Sequence, residues 1–171
     1  MAAMQFLRKV PAPVLAGAVM AVIGSLAWAI SVPWLFPSLG PTIAIQSQAP
    51  DSNVARPWNV IVGHLIGAAV GFACVHLTGA FHESPVNVAH MLSANRLVAA
   101  ILAMVLSMSL QHAAEADHPP AQATTLLIAV GALDADLQGA GVLAAGILLV
   151  AALGEFVRRA KATPPASSAA P

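Results

Sequence analysis

Long apolar stretches alternate with short polar ones along the whole chain. The longest uncharged run, 14–35, meets the requirement of about 20 apolar residues for a membrane-spanning helix. It is also longer than the roughly 7 to 15 apolar residues of a cleaved signal peptide, so we expect it to be retained. Three further runs are adequate spans, at 60–77, 97–114 and 137–157. The pattern therefore predicts an all-α, polytopic membrane protein with four transmembrane helices.

Composition supports placement in a lipid bilayer. Apolar residues make up 58% of the 171 residues, charged residues only 8%, and the mean hydropathy is +0.81. The formal net charge is zero, so the chain has no basic field that would collect nucleic acid. The single cysteine, Cys74, excludes an internal disulfide and a multi-cysteine metal site.

The basic residues predict an orientation, because cytoplasmic loops are enriched in Lys and Arg. With four spans and a cytoplasmic N-terminus, Arg56 alone lies outside, and the acidic residues lie on the far side or in a cavity open to it. The six cytoplasmic basic residues would be Arg8, Lys9, Arg96, Arg158, Arg159 and Lys161. The acidic residues on the far side would be Asp51, Glu115, Asp117, Asp134 and Asp136. Both termini are thus expected in the cytoplasm, and we expect a bacterial inner membrane.

The chain divides into two similar halves, each with a short apolar segment between two spans. These segments read SLGPTIAIQ at 38–46 and HPPAQATTLLIAVGAL at 118–133. With four spans both halves begin inside, which predicts a direct repeat of two re-entrant half-helices, at about 40–47 and 120–133. We expect one domain over 1–162 and a disordered tail over 163–171, where proline and small residues predominate.

Two adjacent prolines mark the second half-helix. Proline lacks an N–H and has a fixed φ, so it ends a preceding helix and fits the first turn of a new one. A helix over 120–133 would rise about 20 Å, less than the roughly 30 Å of a hydrocarbon core. The alternative is that both short segments are ordinary interfacial turns, and the spacing alone leaves this open.

Free N–H groups and a partial positive charge suit a half-helix N-terminus to a small anion. In the first half, Ser38 is expected to cap, Gly40 permits a close turn, Pro41 fits the first turn and Thr42 adds a hydroxyl. In the second half, His118 and the amides of Ala121, Gln122 and Ala123 are the candidates. We predict that the two N-termini face one anion site.

His64 is the one histidine near the middle of a predicted span, and two interpretations of it stay open. Gly63, Gly67 and Gly71 follow the four-residue spacing that lets helices approach closely, which favours a packing role. An intramembrane histidine can also bond an anion or carry a proton.

Metal, haem and catalytic sites have weaker support. His64 and His76 lie about 18 Å apart along one helix and cannot share a centre. The stretch H-x-x-E-x-D-H at 112–118 holds metal-compatible ligands but more often indicates a solvated loop. No serine has a histidine and an acid in register, so we expect neither enzymatic activity nor a cofactor.

The three motifs SLGPT, RPWNVIVGHLIGAAVG and HPPAQATTL occur in the order that resembles the HPP family of small integral membrane proteins. The resemblance implies four spans with re-entrant segments, and family members in plant chloroplasts and cyanobacteria are regarded as nitrite transporters. The present chain departs from the family pattern at Gln122, where glycine is frequent, and at Trp58, where arginine is usual. By position the resemblance implies functional roles for His118, Pro119, Pro120, Ala123, Thr124, Gly40, Pro41, Asn59, Gly63 and His64.

We therefore predict a permease or channel for a small monovalent anion such as nitrite, bound between the two half-helices. A structural or sensory membrane subunit that docks a partner is the alternative, and a haem-binding subunit is a third hypothesis. The glycine-rich faces also favour a homo-oligomer.

Overall fold

A computed structural model describes residues 2–163, and all regular structure in that range is helical. Within this part of the chain four helices are long and apolar enough to cross a membrane, so the predicted all-α fold with four spanning helices is confirmed. The predicted tail at 163–171 lies outside the described residues except for Thr163. The helices, in chain order, are α1 (Ala2–Lys9), α2 (Ala12–Ala29), α3 (Leu39–Gln48), α4 (Pro57–Leu77), α5 (Val86–Ala89), α6 (Ala94–Ala113), α7 (Ala121–Ala129) and α8 (Leu137–Lys161), with 3-10 turns at Asn53–Ala55 and Ala80–His82.

The first spanning helix, α2, ends at Ala29, six residues before the predicted end at residue 35. Ser31 takes a left-handed conformation at φ 57°, and the next amide, Val32 N, donates to Ala27 O at 2.9 Å. This is the Schellman arrangement, which satisfies the last carbonyls of a helix. Pro33 follows and cannot continue a helix, so the chain runs on in non-helical form to α3.

Both termini of the described chain lie at one end of the bundle. Arg8 Nε donates to Ala160 O at 3.2 Å, and Lys161 Nζ donates to Arg8 O at 3.0 Å. The start of α2 and the end of α8 are therefore neighbours. We call this the termini end, and the other the opposite end.

The short helix α3 ends at the termini end. Arg158 Nη1, near the end of α8, donates to Pro50 O at 3.1 Å, just after α3. Since α2 has carried the chain to the opposite end, the segment 30–48 brings it back. The next helix, α4, then runs to the opposite end, where His76 Nε2 lies 3.3 Å from Ala135 O, shortly before α8 begins.

The second short helix, α7, travels in the other direction. Trp58 Nε1 donates to Ala114 O at 3.2 Å, which places the end of α6 at the termini end beside the start of α4. Arg96 Nη1 donates to Ala129 O at 3.1 Å, which places the start of α6 and the end of α7 together at the opposite end. Each short helix thus continues across the bundle, and the re-entrant arrangement is not confirmed. The two halves also run in opposite directions, whereas a direct repeat was expected.

Along this path two arginines lie at the ends of the bundle opposite to those predicted. Arg56 lies at the termini end, because it immediately precedes α4, and Arg96 lies at the opposite end. Asp51, Glu115 and Asp117 likewise lie at the termini end, not on the far side. Asp134 and Asp136 lie at the end away from the termini, as expected.

Both short helices begin deep inside the bundle. A Cβ added to Gly146 would lie 3.2 Å from Phe36 Cε2, and nine residues of α8 from Leu137 to Gly146 rise about 14 Å. The chain has therefore reached about 14 Å from the opposite end just before α3 starts. Near the start of α7, Ala121 O would lie 2.9 Å from a Cβ added to Gly67. Gly67 is about 15 Å along α4 from Pro57, which lies at the termini end. The N-termini of α3 and α7 thus meet near mid-depth.

Candidate functional site

The turn before α7 uses the amides that were expected to bind an anion. Ala121 N donates to His118 O at 2.9 Å, Gln122 N to Pro119 O and Ala123 N to Pro120 O, both at 3.1 Å. The two prolines fold the chain so that these carbonyls lie within reach of the first helical N–H groups. The prediction of three free amides was therefore wrong, and the side chains must supply most of the hydrogen-bonding chemistry.

The far end of α7 is fixed by a buried arginine. Gly131 has φ 78°, and Ala132 N donates to Leu127 O at 2.9 Å, the same Schellman arrangement that ends α2. This is why α7 stops at Ala129 and not at residue 133 as predicted. Arg96 is 3% exposed and donates to Ala129 O, so a full positive charge lies at the negative end of the α7 dipole.

At the other end of α7, two buried histidines converge on one hydroxyl. Thr42 Oγ1 lies 3.0 Å from His64 Nε2 and 3.0 Å from His118 Nε2. The two rings meet edge to face, with centroids 5.0 Å apart and planes at 63°. Thr42 is the fourth residue of α3, His64 lies on α4 and His118 precedes α7, so three separate parts of the chain meet at this point.

The hydrogen bonds continue outward from both rings. His118 Nδ1 lies 2.8 Å from Val54 O, and His64 Nδ1 lies 2.8 Å from Thr124 Oγ1. The Thr124 hydroxyl in turn lies 2.9 Å from Ser38 Oγ. All five side chains are almost fully buried. We call this set the histidine–threonine chain: Ser38, Thr124, His64, Thr42 and His118.

Two bonds at the ends of the chain fix the protons on the histidine rings. A carbonyl oxygen only accepts, so His118 Nδ1 carries a proton and, in a neutral ring, His118 Nε2 is an acceptor. Thr124 Oγ1 donates to Ser38 Oγ and so accepts from His64 Nδ1–H, which makes His64 Nε2 an acceptor in a neutral ring as well. The Thr42 hydroxyl has one proton for both Nε2 atoms and for Ser38 O, so two neutral histidines leave the chain one proton short.

Burial favours that neutral form. His118 is 1% exposed, and removal of an imidazolium from water is costly, so the uncharged ring is favoured in this state.

The remaining predicted residues surround the chain without joining it. Asn59 Nδ2 donates to Asp117 O at 3.0 Å and so holds the loop before His118. Pro119 and Pro120 form the turn described above. Gly40 has open space at its Cβ position and, with Pro41, begins α3. The Ser38 side chain makes no capping bond to α3, contrary to expectation, because it faces Thr124 instead.

Two cavities open near His118 at the termini end. One of about 270 Å³ includes His118 and Gln122 in its wall, and the Gln122 Oε1 atom is buried without a hydrogen-bond partner. The other, of about 740 Å³, includes Val54, whose carbonyl accepts from His118. His112 and Asp117 line both cavities, and His112 Nδ1 lies 3.3 Å from Asp117 Oδ2.

A second polar cluster lies on the other side of α7. Gln111 Nε2 donates to Ser107 Oγ at 2.9 Å, and Ser107 Oγ lies 3.2 Å from Thr125 Oγ1. Gln111 Oε1 also accepts from His118 N at 3.3 Å. Sequence reasoning missed these residues, although Ser107 and Gln111 are four apart and so share a face of α6.

Sequence reasoning also missed Val54, since a backbone carbonyl leaves no mark in the sequence. Ser38 could have been assigned to the site from its position four residues before Thr42, on the same face of the short helix.

The described residues hold no group of three or more His, Cys, Asp or Glu side chains close enough for a metal ion. His64 and His118 do approach each other, which the sequence did not indicate. Both Nε2 atoms are directed at Thr42 Oγ1, so they do not flank a space where a haem iron could lie.

Comparison with known proteins identifies the family. The family model described as HPP, transmembrane region, matches residues 1–165, nearly the whole chain. Neither the curated proteins nor the solved structures include a match. With the four spanning helices, this match makes the chain an integral membrane protein that belongs to the HPP transmembrane family.

Proposed function

We propose that this protein is a permease for a small monovalent anion, with nitrite as the first substrate to test. The observation that supports this most is that the N-termini of two short helices meet at mid-depth, where one histidine lies on each side of a shared hydroxyl. Non-helical backbone deep in a membrane is tolerated where it is enclosed by protein or lines a wet cavity, and transporters use such breaks to bind substrates.

The electrostatics favour an anion over a cation. The positive ends of the α3 and α7 dipoles point toward the same region, and no carboxylate belongs to the histidine–threonine chain. The donors that an incoming anion would use at this point are the Thr42 hydroxyl and a protonated histidine Nε2. Because the α7 amides are already bonded, recognition in this proposal rests on histidine and threonine side chains and on the helix dipoles.

We interpret the described arrangement as a closed state. Thr42 Oγ1 occupies the point where both histidine Nε2 atoms converge, so an anion can reach that point only if α3 moves relative to α4 and α7. In the closed state the Thr42 hydroxyl occupies the position that the anion takes in the open state, and it returns to that position when the anion leaves.

We further propose that the termini end faces the cytoplasm of a bacterial inner membrane. Six of the seven Lys and Arg residues lie at this end, and the positive-inside rule predicts this for cytoplasmic surfaces. The cavities beside His118 would then open to the cytoplasm.

Purified protein in liposomes tests the permease. We expect saturable nitrite uptake above the rate of protein-free vesicles, and a fall of at least about tenfold in His118→Ala. His90→Asn is a matched control, since His90 is exposed at the opposite end and its φ of 54° suits asparagine. Absence of nitrite, nitrate, formate or chloride flux in the wild-type protein would contradict the proposal. Stoichiometric recovery of one partner protein, together with that absence, would favour a structural or sensory subunit instead.

A further inference from the structure

We propose that His118 binds one proton for each anion transported, so that the anion crosses together with H⁺ in an electroneutral step. This inference rests on the proposed function and names its coupling ion. It is carried by the direction of the hydrogen bonds in the histidine–threonine chain and by the cavity that reaches His118.

The proton has a defined place to bind. In the neutral chain His118 Nε2 is an acceptor that faces the Thr42 hydroxyl, while its Nδ1–H is held by Val54 O. A proton arriving at Nε2 converts His118 to an imidazolium that donates from both nitrogens. Its Nδ1–H stays on Val54 O, and its new Nε2–H donates to Thr42 Oγ1.

The added proton completes the hydrogen bonding of the chain. Thr42 Oγ1 accepts from the new His118 Nε2–H and donates to His64 Nε2 or to Ser38 O, which lie 3.0 Å and 2.9 Å away. His64 Nδ1–H donates to Thr124, which donates to Ser38 Oγ. Proton uptake therefore breaks no hydrogen bond without replacing it, and it requires only the rotation of one hydroxyl.

The surroundings explain why a proton and an anion would bind together. Of the elements packed around His118, α4 contributes the titratable His64, while α3 and α7 contribute no titratable side chain. Toward the cavities lie the charged or titratable groups His112, Asp117, Glu115 and Arg56. A lone imidazolium or a lone anion would be costly at this depth, whereas the two together carry no net charge. Each therefore raises the affinity for the other, as linkage requires.

The cavities give His118, and not His64, a route to water. His118 forms part of the wall of the 270 Å³ cavity, together with the exposed residues Asp117 and His112. His64 is fully buried and lines none of the cavities described above. A proton from water therefore has a path to His118 along this cavity.

Proteoliposomes with a pH-sensitive dye trapped inside test the coupling. We expect an inward proton gradient to accelerate nitrite uptake several-fold, with acidification of the lumen that matches the nitrite taken up. A membrane potential imposed with potassium and valinomycin should leave the rate unchanged. Nitrous acid crosses lipid unaided, so the rates of protein-free vesicles are subtracted.

Each outcome separates the two proposals. Nitrite uptake that follows the membrane potential and does not acidify the lumen would overturn proton coupling and leave the permease intact. Absence of any anion flux would overturn both. His118→Asn cannot take up a proton, so acceleration by the proton gradient should disappear, while His90→Asn should keep it.

A readout without transport covers the case in which His118→Asn does not fold. In wild-type protein labelled with ¹⁵N-histidine, added nitrite should move the titration of one buried histidine toward higher pH. No movement at saturating nitrite would contradict the shared site.

Discussion

At the residue scale, Gln46 departs most clearly from the pairing of buried side-chain polar atoms, because it lacks two partners where Gln122 lacks one. It lies on α3, is fully buried, and neither its Nε2 nor its Oε1 atom has a hydrogen-bond partner. The amide fits against α8 only because residue 154 is glycine, since an added Cβ there would collide with Gln46 Oε1. An unpaired buried amide costs about 1–3 kcal/mol.

Replacement of Gln46 by methionine should therefore stabilise the protein. Methionine has a similar length and no group that needs a hydrogen bond, so we expect the free energy of unfolding to rise by up to about 1–3 kcal/mol. Gln111→Met is the matched control and should have the opposite effect, because Gln111 bonds both Ser107 and His118 N. Denaturant unfolding in detergent measures both. A loss of stability in Gln46→Met would contradict the view that this amide is unpaired.

Thr42 offers a second residue-scale prediction, because one hydroxyl completes both histidines. Thr42→Val keeps the shape but leaves His64 Nε2 and His118 Nε2 without partners, at about 1–3 kcal/mol for each buried group. Thr42→Ser keeps the hydroxyl and should lose much less stability. Thermal unfolding and nitrite uptake of the two variants provide the measurement. A larger loss in serine than in valine would show that the methyl group, and not the hydroxyl, matters.

At the scale of elements, the turn residues that the sequence displays explain which helix ends could be predicted. The first half-helix was predicted at 40–47 and lies at Leu39–Gln48, because Gly40 and Pro41 mark its start. The end of α2 was missed because Ser31 adopts a left-handed conformation that serine rarely takes. The end of α7 depends on Gly131, which the sequence displays but which was interpreted as part of the helix.

The closeness of α4 and α7 gives the element-scale prediction. A Cβ on Gly67 would lie 2.7 Å from Thr125 Oγ1 and 2.9 Å from Ala121 O. Since the second of these is backbone, Gly67→Ala must push α7 away from α4, and overpacking of this kind costs about 1–3 kcal/mol. Gly17→Ala is the control, because its Cβ would meet no atom within 4 Å. We expect a lower unfolding temperature and lower nitrite flux in Gly67→Ala alone. A gain of stability in both variants would show that the higher helix propensity of alanine, and not the contact with α7, decides the effect.

At the scale of the whole molecule, the sequence predicted the family and the spanning helices but not the path between them. Charge counting could not distinguish the paths, because exchange of Arg56 and Arg96 leaves six basic residues against one in either case. Two hydrogen bonds distinguish the observed path from the predicted one, from Arg158 to Pro50 O and from Arg96 to Ala129 O. Both end on backbone carbonyls, which carry no sequence signal. The predicted site residues Thr42, His64, His118 and Thr124 do meet, but their shared hydroxyl depends on this path.

Single cysteines introduced at exposed positions test that path directly. In a Cys74→Ala background, which removes the one native thiol, the variants are Lys9→Cys, Ala49→Cys and Met91→Cys. We expect a membrane-impermeant maleimide to reach residues 9 and 49 from the same side of sealed vesicles and residue 91 from the other side. The four-span arrangement with re-entrant segments predicts the reverse pairing, with 91 on the side of 9 and 49 alone. If 49 and 9 label from different sides, the short helices do not cross, the α3 and α7 N-termini do not approach from opposite directions, and the anion site between them loses its structural basis.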